Sequence, residues 1–227
     1  MFPLYIKTVQ TIGAVNTALD TDGSVRAFEP IIYMQGKYYP SLPLAVFLKL
    51  NNYKEIIIYN NKYEVYNDSG LIAVFPLFSD KDKSVQYIKW LTPYDANSWI
   101  PHKQIKASDI IKSYKNIKVG EYPVIPQEEL KDKIVVVGAT ANALYDLKIT
   151  PLTVNMPGST IQATIIDNLL SNQSIKIISP FVNIIVMLIY MGVIAFAILK
   201  LQPIFSVIAL FGLCFLYFYM VLFCYSN

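Results

Sequence analysis

The sequence has 227 residues, a net charge of +3, 54% hydrophobic residues and a mean hydropathy of +0.41. This apolar content is too high for an ordinary soluble domain. The 19 basic and 16 acidic residues nearly balance, and Arg26 is the single arginine, which excludes a basic nucleic-acid-binding surface. With one histidine, His102, and two cysteines, both near the C terminus, the sequence predicts no metal site, no cofactor and no disulfide framework in its polar part.

Two runs near the C terminus contain no charged residue and no histidine: Pro180 to Leu199 and Pro203 to Tyr225. Because a helix needs about 20 apolar residues to cross a bilayer, these runs predict transmembrane helices at 180–199 and 203–225, with the lipid bilayer as a partner. Lys200 lies in the short turn between them, and a basic turn favours the cytoplasmic side. The expected location is therefore the inner membrane, multi-pass, with the preceding residues extracytoplasmic.

The polar part of the chain, residues 1–178, predicts a mixed α/β domain. Asp20 to Gly23 reads as a turn, since its spacing does not fit a twelve-residue calcium loop. Val25 to Phe28 and Ile31 to Met34 predict two strands that form a hairpin around Pro30.

The next elements are a short buried helix and a three-stranded meander. Ser41 is placed to cap a helix from Leu42 to Leu50, in which Pro43 is tolerated in the first turn. Asn60-Asn61 is a favourable two-residue turn. The predicted strands are Ile56 to Tyr59, Lys62 to Tyr66 and Leu71 to Phe78. A further helix, Asp109 to Lys115, is expected after a Ser108 cap.

The stretch with the strongest bearing on function starts at Ile134 to Val137, which predicts a strand buried on both faces. Gly138 follows it, and the end of a buried strand is a common place for a ligand in α/β proteins. Thr140 and Asp146 are polar groups beside this turn. They either contact a ligand or hold the shape of the loop through hydrogen bonds to backbone amides, and the spacing does not distinguish these alternatives.

After this loop, Ser159 is expected to cap a second buried helix. Ile161, Ile165 and Leu169 lie at i, i+4 and i+8 and form a single apolar stripe, which is typical of a helix face packed on a core. Asp167 and Asn168 are expected to face away from that core.

Several separate blocks of this chain occur in the order seen in one family. They are Gly13-Ala14-Val15-Asn16, Asp20 with Asp22-Gly23 and Arg26, Tyr39 to Ala45, Ala107 to Ile110, the segment LKDKIVVVGATA, Asp146, Thr150-Pro151, Pro157-Gly158, Ala163 and Leu169-Leu170. Together they resemble the signature of CHASE2 domains, the extracytoplasmic sensor modules of bacterial transmembrane signalling proteins. The resemblance covers roughly residues 13–172. Two positions depart from it: Asn142-Ala143 stands where glycine is common, and Gln162 where histidine is common.

The resemblance implies that residues 1–178 form an N-terminally incomplete sensor domain. It further implies a non-enzymatic, membrane-anchored input module of a receptor such as an adenylate or guanylate cyclase or a kinase, without its output domain here. An unknown extracellular ligand and a homodimer are the partners it suggests. Arg26, Thr140 and Asp146 are the residues that we expect to contact the ligand.

Two other hypotheses remain open at this point. The chain could be a membrane-anchored enzyme, which would require His102 and Asp146 to lie within hydrogen-bond reach or across one bridging group. It could also be a degenerate receptor fragment without activity.

Overall fold

The computed structural model describes residues 11–80, 83–91, 100–139, 146–175, 180–200, 202 and 210–219. The chain divides into two compact units, Met1–Ile175 and Lys176–Asn227.

The described residues of the first unit form short antiparallel strands and three α-helices. The strands are β1 (Ala18–Leu19), β2 (Val25–Phe28), β3 (Ile31–Met34), β4 (Lys37–Pro40), β5 (Glu55–Ile58), β6 (Lys62–Asn67), β7 (Gly70–Pro76), β8 (Phe78–Asp80), β9 (Lys83–Tyr87), β10 (Leu147–Lys148) and β11 (Met156–Pro157). The helices are α1 (Leu42–Leu50), α2 (Ala107–Lys118) and α3 (Gly158–Leu170), with a 3-10 turn at Gln127–Glu129. The strand order is β1-β2-β9-β8 in one sheet and β5-β6-β7 in another, while β3-β4 and β10-β11 form separate pairs.

The main core lies between α1, α3 and the β5-β6-β7 sheet. Phe47 of α1 packs edge-on against Phe75 of β7 with ring centroids 5.3 Å apart, and Tyr63 of β6 lies 5.2 Å from the same ring. The buried Tyr63 hydroxyl donates a hydrogen bond of 2.9 Å to Gln86 Oε1, which satisfies a polar group within this apolar cluster. The members of the cluster are Val25, Phe28, Leu44, Phe47, Leu48, Tyr63, Val65, Ala73, Phe75, Leu77, Ile88, Met156, Ile161, Ile165 and Leu169.

Several elements are confirmed. Helix α1 has the predicted bounds, and the Ser41 side chain accepts a hydrogen bond from the Leu44 amide. The predicted meander is present as β5, β6 and β7 with slightly shifted ends. Helix α2 is longer than predicted, and the predicted Ser108 cap is wrong: the N-cap is Lys106, and the Ser108 hydroxyl is directed at Asp109 Oδ1 instead of a backbone amide.

The predicted hairpin around Pro30 is wrong, although both of its strands exist. β2 pairs with β1 and β9, while β3 pairs with β4 across a turn at Gln35 and Gly36. Both turn residues have positive φ, 52° and 79°, which is the geometry that joins two-residue hairpins. The sequence pattern identified the strands but not their partners, since strands that are adjacent in sequence can lie in different sheets.

The buried strand expected at Ile134 to Val137 is also wrong. This segment is not paired with any described strand, and Val135 and Val137 are 53% and 90% exposed. β-branched residues favour extended backbone only weakly, and a strand forms where a neighbour supplies hydrogen bonds and packing.

The second unit contains α4 (Pro180–Lys200) and a helical segment over 210–219, with Tyr190 and Tyr217 in edge-on contact at 5.7 Å. Within the described residues, no helix combines the length and the apolarity that a membrane crossing requires. The mixed α/β assignment is therefore correct, but the two transmembrane helices predicted at 180–199 and 203–225 are wrong. Absence of charge favours withdrawal from water, but it does not by itself make a helix a membrane span.

Candidate functional site

Of the three polar residues predicted to contact a ligand, Asp146 lies at the N-terminal end of α3. The β10-β11 hairpin turns the chain back, so that Asp146, just before β10, lies beside Gly158, the first residue of α3. The Gly158 amide donates a 2.8 Å hydrogen bond to the Asp146 carbonyl oxygen. A Cβ atom at position 158 would lie 2.4 Å from Asp146 Oδ2, so a side chain here would displace the carboxylate from the helix end.

Asp146 is thus a carboxylate at the positive end of a 13-residue helix. The amides of the first helical turn carry partial positive charge, which stabilises a neighbouring anion. This arrangement fits the structural alternative, in which Asp146 holds the loop against the helix. Asp146 is nevertheless exposed, so its oxygen atoms are also open to a ligand.

The turn at Gly138 also lies at the N-terminal end of α3. A Cβ atom on Gly138 would lie 2.3 Å from the Ser159 Cβ atom, so the chain at Gly138 passes directly over the second residue of α3. The structure therefore brings the Gly138 turn and Asp146 to one helix end, as the sequence suggested. Thr140, the other predicted ligand residue of this turn, lies outside the described residues.

Arg26 lies in β2, beside the chain that follows β10. The Val25 amide donates a 2.8 Å hydrogen bond to the Ile149 carbonyl oxygen, which joins this edge of β2 to the segment after Asp146. The Arg26 guanidinium, however, binds Asp20 Oδ2 at 2.6 Å and Asp22 Oδ2 at 2.7 Å. Among the described residues no contact joins Arg26 to Asp146.

The ion pairs of Arg26 determine the electrostatics of this turn. Hydrogen bonds from Arg26 and from the Ser24 amide lower the pKa of Asp22 to about 2. The Asp20 pKa is also lowered, first by the Thr21 amide and then by Arg26, while both carboxylates raise the pKa of Arg26. Arg26 therefore closes the Asp20–Gly23 turn, and its predicted contact with a ligand stays a prediction.

A polar stripe runs along α3 and was missed by the sequence analysis. Thr160, Thr164 and Asn168 lie at i, i+4 and i+8 and are all buried. Asn168 accepts a 2.9 Å hydrogen bond from the Lys89 amide and donates one of 2.9 Å to the Lys89 carbonyl oxygen. The expectation that Asn168 faces away from the core is wrong, and the four-residue spacing of these polar residues was the signal that could have revealed it.

His102 contacts the middle of this stripe. The Thr164 hydroxyl donates to the Thr160 carbonyl oxygen at 3.0 Å, so the 3.4 Å contact between Thr164 Oγ1 and His102 Nε2 requires the imidazole to donate. Burial lowers the pKa of His102, and the charge of Asp167 opposes this effect more weakly. The histidine is therefore held in its neutral form as a structural donor.

The structure does not bring His102 and Asp146 together, as the proposed acid-base pair would require. Asp146 lies at Gly158 and His102 at Thr164, which is six residues further along α3, and this separation corresponds to a rise of about 9 Å. No hydrogen bond joins the two side chains in the part of the chain that the structure describes, so this acid-base pair is not assembled.

Gln162 is the other polar residue that the sequence analysis did not place in a site. It is 7% exposed, and its Oε1 atom is buried without a hydrogen-bond partner among the residues that the structure describes. A buried carbonyl that stays unpaired costs about 1–3 kcal/mol, so the described contacts of α3 do not account for the burial of Gln162.

Comparison with known proteins gives one match. The CHASE2 domain family matches residues 3–198, most of the chain and the whole of the site described above. Searches of the curated proteins and of the solved structures gave no match. CHASE2 domains are sensor domains and not catalytic ones, in agreement with the separation of His102 from Asp146. The chain therefore belongs to the CHASE2 domain family, whose members are extracellular sensor modules of signalling receptors.

Proposed function

We propose that this chain is the extracytoplasmic input module of a bacterial signal-transduction receptor, coupled to an output domain of the cyclase or kinase type. The family match over residues 3–198 is the observation that carries this proposal. In such a receptor a ligand or partner binds one of two conformations more tightly and shifts the population toward it.

The N-terminal end of α3 is the ligand site that we favour. The exposed Asp146 carboxylate can only accept hydrogen bonds when it is ionised, so the ligand must supply donors such as hydroxyl or ammonium groups. An anionic ligand is disfavoured, because Asp146 already occupies the positive helix end. The chain at Gly138 passes directly over Ser159 and covers this end of α3 closely, so a small ligand fits better than a bulky one.

Cysteine labelling in intact cells tests the location that the proposal requires. The first unit has no native cysteine, because both cysteines, Cys214 and Cys224, lie in the second unit. Asp68 is 87% exposed, so a full-length Asp68→Cys variant with both native cysteines changed to serine carries one accessible thiol. A membrane-impermeant maleimide should label this variant in intact cells as strongly as in lysed cells. Labelling only after lysis would contradict an extracytoplasmic module.

Ligand binding at Asp146 is tested by thermal unfolding of the full chain with a panel of small amines and polyols. A ligand present at about a hundred times its dissociation constant stabilises the folded state by about 2.7 kcal/mol. We expect at least one compound to raise the midpoint of the wild type and of Asp68→Asn, but not that of Asp146→Asn. A rise that survives in Asp146→Asn would exclude Asp146 from the site while leaving the input-module proposal intact.

A further inference from the structure

Helix α2 is attached to the rest of the unit through a buried serine, while several of its apolar side chains are exposed to solvent. The one buried residue of this 12-residue helix is Ser113, whose hydroxyl donates to the Asp109 carbonyl oxygen at 2.7 Å and accepts from the Ile125 amide at 2.8 Å. On the outer side, Ile111, Tyr114 and Ile117 are 54%, 59% and 59% exposed. Three residues apart along a helix, they share an arc of about 120°.

The apolar surface continues past the end of the helix. Val119 and Tyr122 are 72% and 94% exposed, and the Asn116 side chain ties this extension back to α2 by donating a 3.0 Å hydrogen bond to the Tyr122 carbonyl oxygen. We call these five residues, Ile111, Tyr114, Ile117, Val119 and Tyr122, the α2 apolar face. Surface apolar residues that occur singly are normal, but a contiguous set along one element marks a binding surface.

A row of lysines runs beside this face. Lys112, Lys115 and Lys118 follow the apolar residues by one position each, so the basic row is rotated by about 100° from the apolar one. Lys118 Nζ lies 4.7 Å from the centre of the Tyr114 ring, which places a cation at the edge of the apolar face. The one acidic residue of α2 is Asp109, and its Oδ1 atom lies 3.9 Å from Lys112 Nζ.

The charge of α2 indicates whether a second copy of the chain or a membrane surface binds the α2 apolar face. A second copy would bring a second lysine row against the first if the two α2 helices packed symmetrically, and like charges would oppose that contact. An apolar stripe flanked by lysines and tyrosines is instead the pattern of helices that lie in the headgroup region of a membrane.

We propose that α2 lies flat on an anionic phospholipid surface, with Ile111, Tyr114 and Ile117 among the acyl chain ends and the three lysines at the headgroup phosphates. This contact is peripheral, and it is independent of the ligand site at α3. It would fix the orientation of the sensor unit relative to the membrane that it monitors.

Hydrogen exchange of α2 in the full chain tests the proposal, because this readout is local and is not affected by lipid contacts of the second unit. The probes are vesicles of phosphatidylcholine alone and vesicles that also contain phosphatidylglycerol. We expect the amides of 107–118 to exchange at least about tenfold more slowly with the anionic vesicles than with the neutral ones. Equal exchange with both kinds of vesicle would overturn the proposal, and an acidic protein partner would then be the better occupant.

Two sets of variants assign the effect to α2. Lys112→Glu/Lys115→Glu/Lys118→Glu should weaken binding to anionic vesicles by at least about a hundredfold, which is about 3 kcal/mol, since each lysine near an anionic surface contributes about 1 kcal/mol. The matched control changes three exposed lysines elsewhere by the same total charge: Lys37→Glu/Lys131→Glu/Lys133→Glu. Equal loss in both variants would overturn a specific role for α2.

A second pair of variants tests how much the apolar side chains of α2 contribute to vesicle binding. Ile111→Ser/Ile117→Ser should weaken binding by at least about tenfold, because both side chains leave the acyl region. Leu71→Ser/Val154→Ser changes two residues that are 54% and 65% exposed outside α2 and should bind as the wild type does. All four side chains are exposed, so tryptophan fluorescence should show unchanged unfolding midpoints. A double α2 variant with wild-type binding would exclude insertion of the helix.

Discussion

Replacing Asn168 should destabilise the first unit more than any ordinary polar substitution. Asn168 is 3% exposed, and its side-chain amide forms two hydrogen bonds of 2.9 Å with the backbone of Lys89, the residue that precedes Trp90. In Asn168→Ala both backbone groups of Lys89 lose their partner. Each group that is left without a hydrogen bond costs about 1–3 kcal/mol. Lys89 is only partly buried, so water recovers some of this loss, and we expect a decrease of about 2–4 kcal/mol in the free energy of unfolding.

Urea unfolding of the full chain followed by tryptophan fluorescence measures this loss, since both tryptophans, Trp90 and Trp99, belong to the first unit. Asn168→Asp keeps an acceptor for the Lys89 amide but loses the donor, so its effect should be intermediate. Asn155→Ala is the matched control, because Asn155 is exposed and its replacement should change stability by less than about 0.5 kcal/mol. If Asn168→Ala were no more destabilising than Asn155→Ala, Asn168 would not hold α3 to the chain after β9.

Three further predictions concern the charged and polar groups around α3 and β2. Gly158→Ala should cost about 1 kcal/mol in the wild type, because the new Cβ atom displaces the Asp146 carboxylate from the helix end. In an Asp146→Ala background it should cost nothing, and equal costs in the two backgrounds would show that the groups are not in contact. Arg26→Gln should raise the Asp22 pKa from about 2 toward its ordinary value of 3.8 in an NMR titration, since the main hydrogen bond that lowers it is removed; an unchanged pKa would refute the ion pair. His102 has a folded-state pKa below its ordinary 6.5, so the unfolded chain binds the proton more readily and stability falls as the pH drops through 6.5. Between about pH 7.5 and pH 5 the wild type should therefore lose more stability than His102→Gln, and parallel profiles of the two proteins would indicate that His102 is not buried as described.

Local patterns predicted the elements whose stability depends on nearby residues. Helix α1 begins at its Ser41 cap and ends where the apolar pattern stops, and the apolar stripe Ile161, Ile165 and Leu169 is buried as its spacing indicated. The three-stranded meander follows from short turns between alternating strands. In each of these cases the deciding interactions join residues that are close in sequence.

Features that depend on distant partners were predicted poorly. β2 and β3 were identified as strands, but the prediction that they pair with each other failed because β2 pairs with the distant strand β9. Ile134 to Val137 has strong β propensity and no described partner strand. The two apolar runs near the C terminus were interpreted as membrane helices from composition alone, and no described helix combines the length and the apolarity of a membrane span.

In the candidate site too, the local features were predicted from the sequence and the features that depend on folding were not. Sequence blocks singled out Asp146, the Gly138 turn and Gly158, and the structure places all three at one end of α3. The same blocks could not show that Arg26 is already bound by Asp20 and Asp22, because ion pairs depend on the turn that the chain adopts. The buried Oε1 atom of Gln162 was equally invisible, since burial of a polar group is a property of packing.

Maleimide labelling of the single-cysteine Asp68→Cys protein in intact cells tests the central claim of a sensor unit outside the cytoplasm most directly. We expect equal labelling before and after lysis, because the side chain at this position is 87% exposed in the folded unit. Labelling that appears only once the cells are opened would place the unit inside and would contradict its assignment as an extracytoplasmic input module.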